Sequence, residues 1–219
     1  MDFSLLQTIA LYAVPVVFAI TLHEAAHGYV ARLFGDQTAW MLGRVTLNPL
    51  KHIDPVGTVI VPLGLLLLSK LAGGGGFLFG WAKPVPVNFG NLRDPKRHML
   101  WVAAAGPATN LAMAFAWAVL FRLAADGGAL DSQGLELMAR AGIMINVVLM
   151  VLNLLPILPL DGGRIAVSLL PRTLANRYAR LEPYGFMLIV LLLATGWLDI
   201  LMRPLIGFVL QLLGSIVGI

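Results

Sequence analysis

The sequence contains no cysteine. That excludes a disulfide scaffold, thiolate metal sites and thiol nucleophiles, and it leaves the redox compartment open. Charge is scarce as well. Asp, Glu, Lys and Arg make up 12% of the 219 residues, about half of what an ordinary soluble domain carries. No basic segment precedes the first apolar run, so a cleaved signal peptide is not expected. No repeat, low-complexity tract or linker interrupts the chain, and one domain over residues 1–219 is expected. Apolar residues dominate instead: 59% are hydrophobic and the mean hydropathy is +0.86. A soluble protein of this size cannot hide so much apolar surface from water. Disorder and collagen-like repeats are excluded by the same composition. A pI near 9.8 would suggest nucleic acid in a soluble protein. In an apolar chain, a lipid bilayer flanked by basic cytoplasmic loops accounts for it, and no nucleic-acid partner is expected.

A helix crosses a bilayer with roughly 20 mostly apolar residues. Charge-free stretches of that length run over residues 3–22, 99–121 and 141–160, and shorter ones over 55–69, 183–198 and 204–219. An all-α polytopic membrane protein with about five to six membrane helices follows. The segment over about 54–88 departs from this pattern. Residues 55–71 read as a helix, the four glycines 73–76 as a turn, and residues 77–88, FLFGWAKPVPVN, as extended chain. Pro84 and Pro86 forbid a regular helix there. Twelve extended residues reach roughly 40 Å at about 3.3 Å each, enough to return across most of a bilayer. The segment therefore reads as re-entrant: helix in, glycine turn, extended strand back. Such backbone is tolerated at membrane depth only against protein or a wet cavity. If both flanks lie on one side, eleven of the fifteen Lys and Arg share that side, and the acidic Asp126, Asp131 and Glu136 lie in one loop on the other. The positive-inside rule then makes the basic side cytoplasmic and puts the N-terminus outside.

Residues 23–27 read HEAAH. Four helical residues turn the chain by about 400°, so His23 and His27 lie about 40° apart on one face. Two imidazoles on one face can clamp a metal ion, and Glu24 beside them can take a proton from water at that ion. An ionisable group within a span costs roughly 2.5–3.5 kcal/mol on insertion scales. Two satisfied helix histidines with Glu24 as an ion-pair partner do not explain three such groups in five residues.

A catalytic zinc site needs a third protein ligand and an open position. Val30 and Leu33 stand where the longer HExxHxxGxxH form needs Gly and His, and the next Glu is Glu136. Asp36 is nine residues past His27, about 180° around the helix. His52 and Asp54 fall in a cytoplasmic loop and His98 at a helix start. Asp161 follows twenty uncharged residues within LPLDGG. Pro156 and Pro159 break the helix before it, and Gly162 and Gly163 let the backbone approach closely. Two readings of Asp161 stand side by side: third ligand on the same side as HEAAH, or N-cap of the helix that follows.

HEAAH in the first apolar helix, GPATN at 106–110 and NLLPILPLDGG at 153–163 together resemble the site-2 protease family of intramembrane zinc metalloproteases. GWAKPVPVN followed by a basic turn is similar to the short bacterial and archaeal members. The likeness covers nearly the whole chain. HExxH by itself is moderately specific; paired with the distal N-x-x-P-x-x-P-L-D-G in a polytopic protein it is highly specific. The resemblance implies one Zn2+ per chain on His23, His27 and Asp161, Glu24 as catalytic base, and Asn153 holding the substrate or the developing oxyanion. It implies hydrolysis of peptide bonds in or near the spanning segments of transmembrane protein or peptide substrates. The setting would be the cell membrane, with the active site toward the cytoplasm. Larger members carry a PDZ domain or a nucleotide-sensing domain. The loop over 124–137 has 14 residues, too short for a domain of about 50 or more, and a single integral membrane protease domain is expected.

Other residues keep two readings. Asn153 suits an oxyanion or a helix–helix hydrogen bond equally. Asn110 follows the small residues Ala103–Gly106 and Ala108, a pattern for close helix contact, and a role at the site stands beside that structural one. Asn146 and Asn48 stay open. The extended stretch 79–87 would pair with an unwound substrate through main-chain hydrogen bonds at Gly80, Trp81, Val85 and Val87, or serve only as a plug against the first helix. The alternative from another class is a non-catalytic zinc-binding transporter or metal sensor. Transporters commonly show paired repeats with broken helices; the sequence shows none, and a transporter has no use for Glu24 beside a ligating histidine.

Overall fold

The computed structural model describes residues 5–61, 64, 82–125 and 128–218. Eight α-helices occur among them: α1 (Leu5–Leu33), α2 (Thr38–Met41), α3 (Pro95–Ala124), α4 (Gln133–Leu154), α5 (Asp161–Leu169), α6 (Arg172–Ala179), α7 (Glu182–Ala194) and α8 (Trp197–Val217). No strand occurs among the described residues, so the chain is all-α there, as its composition implies. Of these helices α3, α4 and α8 are long and apolar enough to cross a membrane. Helix α1 has 29 residues and includes residues 5–22 of the first charge-free stretch. Helix α7 is apolar but has 13 residues, about 20 Å at 1.5 Å per residue and short of a bilayer core.

Local chemistry sets the ends of these helices. Asp94 caps α3 by accepting from the Arg97 N–H, with Pro95 in the first turn where no donor is needed. Helix α4 stops at Leu154, and Leu155 is already extended before Pro156. The tightest packing joins α3 and α4, with α1 laid against both. Ala114 and Ala118 of α3 have no exposed surface and face Ile143, Val147, Met150 and Val151 of α4, with Leu198, Met202 and Leu213 of α8 beyond. Alanine at these positions lets the backbones approach without a side chain between them. Outward, Leu191, Ile200 and Phe208 are more than half exposed, a surface suited to lipid rather than water.

The glycine turn at 73–76, Gly80 and Trp81 lie outside the described residues. Both ends of that segment are described, and they meet: the Lys83 N–H donates to the His52 carbonyl at 2.9 Å. Residues 82–88 form neither helix nor strand, Pro84 and Pro86 bar a regular helix there, and Asn88 at the end is extended. Side chains hold them instead. Arg44 donates to the Lys83 carbonyl at 2.8 Å, and Asp36 accepts from the Asn88 N–H at 2.7 Å.

Candidate metal centre

Helix α1 brings His23 and His27 to one face, their Nε2 atoms 3.1 Å apart. Asp161, the first residue of α5, points its Oδ2 at both, 3.2 Å from His23 Nε2 and 3.3 Å from His27 Nε2. Leu160, not Asp161, stands at the N-cap position of α5, and it makes no side-chain capping bond. All three residues are buried. The bend that delivers Asp161 depends on glycine. A Cβ on Gly162 would lie 2.3 Å from the Leu154 carbonyl oxygen, and one on Gly163 2.5 Å from the Leu158 nitrogen. The two glycines thus let α5 fold back onto the end of α4.

The donor set suits a metal ion. His27 Nδ1 lies 2.7 Å from the Val102 carbonyl. A carbonyl only accepts, so the proton sits on Nδ1 and the Nε2 lone pair faces the other two residues. Asp161 Oδ2 is buried without any hydrogen-bond donor. An orphaned carboxylate oxygen beside converging imidazole nitrogens is costly unless a cation joins them. Two histidines and a carboxylate are also the ligand types a catalytic zinc site uses. Helix α3 closes this space with Gly106, where a Cβ would lie 2.5 Å from His27 Nε2 and 2.6 Å from His23 Nε2.

Glu24 is half-buried, and its Oε2 accepts the Val85 N–H at 2.7 Å. Val85 itself is buried, while Val87 packs toward Ala31, Leu92, Met99 and Val102. Asn153 donates to the Leu149 carbonyl one turn back, at 3.0 Å. Asn110 is fully buried, its Oδ1 2.6 Å from His23 Nδ1. The other two histidines lie apart from this cluster: His52 meets the Thr46 carbonyl, and His98 accepts from the Asp94 N–H and stacks on Phe34. Asp36, opposite His27 on the helix count, organises the adjoining loop. It accepts from the Thr38 N–H and hydroxyl, the Asn88 N–H and the Asn91 amide. Burial by itself would raise its pKa; these hydrogen bonds outweigh it and hold the carboxyl below the ordinary carboxylate range.

Sequence reasoning missed Gly106. It marked 103–106 as a contact stripe, but which glycine meets the histidines depends on the rotation of α3 against α1. It also left Asn146 open; that residue has no exposed surface and accepts from Asn110 at 2.9 Å.

Comparison with known proteins extends the picture beyond the histidines. The profile of Peptidase family M50 matches residues 122–195, which include Asp161. YwhC of Bacillus subtilis, provisionally named a zinc metalloprotease, is 37% identical over 198 residues, 89% of this chain and 84% of that protein. Rip2 of Mycolicibacterium smegmatis, named in the same way, is 34% identical over 185 residues, 84% of this chain and 66% of that protein. Rip2 of Mycobacterium tuberculosis is 33% identical over 167 residues, 76% of this chain and 54% of that protein. No solved structure gives a significant match. Identity at this level over most of YwhC, with the family profile across the Asp161 region, shows that the chain belongs to peptidase family M50, the site-2 proteases.

Proposed function

We propose that this chain is an intramembrane zinc endopeptidase that cleaves membrane proteins in or near their spanning segments. The observation that carries the reading is the meeting of His23 Nε2, His27 Nε2 and the orphaned Asp161 Oδ2 within 3.3 Å of one another. His23, His27 and Asp161 would hold the ion, which supplies Lewis-acid chemistry at a scissile carbonyl and a nucleophile at neutral pH. Glu24 takes the proton from the attacking water and returns it to the leaving amine. Asn153 serves the substrate or the oxyanion, the role that membership of this family suggests.

The substrate is a spanning helix that must unwind locally, because a helix hides its amides. The segment that the sequence reads as extended, with pairing groups at Gly80, Trp81, Val85 and Val87, receives the unwound strand. The Val85 N–H is bonded to Glu24, so pairing at that amide requires Glu24 to let go. The backbone bond between His52 and Lys83 supports a segment that leaves and re-enters on one side. Charge asymmetry then makes that side cytoplasmic, with the N-terminus outside and the metal centre toward the cytoplasm.

The test is Glu24→Gln in the purified chain, scored for bound zinc and for cleavage of a panel of spanning peptides. Zinc retained with cleavage lost is the expected result. Cleavage at the wild-type rate would remove Glu24 as the base, and unchanged transport of zinc by the variant would favour a carrier.

A further inference from the structure

A file of buried hydrogen bonds runs outward from His23 across three helices. His23 Nδ1 lies 2.6 Å from Asn110 Oδ1. Asn110 Nδ2 lies 2.9 Å from Asn146 Oδ1 and 3.3 Å from the Ala19 carbonyl. Asn146 Nδ2 lies 2.9 Å from the Gly142 carbonyl. Neither asparagine has any exposed surface.

The direction of this file is fixed from its far end. An amide side chain has an accepting oxygen and a donating nitrogen, and the network decides which way each points. The Gly142 carbonyl only accepts, so it takes the NH2 of Asn146. That turns the Asn146 oxygen toward Asn110. This oxygen and the Ala19 carbonyl both take the NH2 of Asn110, which turns the Asn110 oxygen toward His23. Only an N–H can meet it there. His23 therefore carries its proton on Nδ1 and keeps a lone pair on Nε2, facing His27 and Asp161. His27 reaches the same state in one step, through the Val102 carbonyl.

We infer that Asn110 and Asn146 form a positioning relay that fixes the tautomer and ring orientation of His23 for metal binding, with Asn146 acting through Asn110. The inference rests on the metal reading given above. Groups that orient ligating histidines in this way typically change metal affinity about 10–100-fold when removed. The plain alternative is that the asparagines only bind α3 to α4, a common use of Asn between spans. The two differ in what they predict. Helix bonding predicts lost stability, whereas positioning predicts lost affinity that does not add between the two sites.

The test uses the full chain in detergent, stripped of metal and titrated with zinc against a chromophoric chelator, with melting followed in parallel. Asn110→Leu should weaken zinc roughly 10–100-fold. Asn146→Leu should weaken it less. The double variant, which replaces both partners with apolar groups and leaves neither amide unpaired, should bind no worse than Asn110→Leu and keep its fold. Asn146→Asp, as the neutral acid, still presents an oxygen to Asn110 and a donor to Gly142, and should restore affinity near wild type. Wild-type affinity in Asn146→Leu, or losses that add in the double variant, would overturn the relay while leaving the metal centre standing. Full zinc affinity in His23→Ala would instead overturn the metal reading and the relay with it.

Discussion

Gly106→Ala adds one methyl group in the middle of α3. In an ordinary helix interior this change stabilises by about 0.5–1 kcal/mol. At Gly106 the methyl would stand 2.5 Å from His23 Cε1, 2.5 Å from His27 Nε2 and 2.6 Å from His23 Nε2. Comfortable contact between such atoms begins at about 3.5 Å, so each ring must retreat by about 1 Å. Neither ring can swing away cheaply, because its Nδ1 is anchored, His23 on Asn110 at 2.6 Å and His27 on the Val102 carbonyl at 2.7 Å. A functional constellation tolerates a displacement of only about 0.5 Å. Overpacking of this kind also costs about 1–3 kcal/mol, which cancels or exceeds the helix gain. Zinc affinity should therefore fall by more than about a hundredfold, the upper end of what removing a ligand's support does. The assay is a chelator-competition titration with melting recorded alongside. Gly207→Ala in α8, where a Cβ meets nothing within 4 Å, is the matched control and should change neither quantity for the worse. Wild-type zinc affinity in Gly106→Ala would refute the placement of the ion between the converging Nε2 atoms.

Two further outcomes test the surroundings of the site. Asp36→Asn puts an NH2 against the Asn88 N–H or the Thr38 donors, leaving a covered donor unpaired at a cost of about 1–3 kcal/mol. Because the folded carboxyl titrates below its ordinary value of about 3.8, its contribution is fully present above that value and is lost as pH falls through the lower folded one. The melting gap between wild type and Asp36→Asn should thus be constant near neutrality and close in acid; a gap that persists at the lowest pH would refute it. The absence of native cysteine makes single-cysteine labelling clean. Cysteines replacing the exposed Leu50, Phe89 and Leu174 should label from one side of sealed vesicles and one replacing the exposed Leu130 from the other. Opposite labelling of positions 50 and 89 would sink the re-entrant reading.

Legibility in the sequence followed the range of the interaction. Helix period alone put His23 and His27 on one face, since only four residues separate them. Proline position alone placed a helix break before Asp161, where α4 ends at Leu154, and barred a regular helix around Pro84 and Pro86. Asp161 was legible as a candidate but not separable from a helix cap, because that choice depends on whether α5 folds back, and folding back depends on clearance at Gly162 and Gly163. Asn110 was legible as either contact or site residue and is both buried between helices and bonded to a histidine. The faces that α3 and α4 turn to α1 are set by close packing of small side chains. A run such as AAAGPAT offers several nearly equivalent faces, so Gly106 and Asn146 could not be singled out before the helices were placed.

The alternating prolines acquire a second meaning once the structure is known. At 84 and 86 they do more than bar a regular helix. They remove two N–H donors from a segment that has no strand beside it among the described residues to take them. Between them a single amide, that of Val85, remains, and it goes to Glu24 at 2.7 Å. The carbonyl of Lys83 takes the Arg44 guanidinium, with the Pro84 carbonyl at the edge of its reach at 3.4 Å, and Asn88 closes the segment on Asp36. The segment is thus held by side chains of α1 and the loop after it, where a strand partner would ordinarily hold it. One of those side chains is the proposed base. Under the proposed function, a substrate strand that paired at Val85 would compete with Glu24 for that amide and free the Glu24 carboxylate as it bound, whereas one that paired elsewhere along the segment would leave Glu24 held.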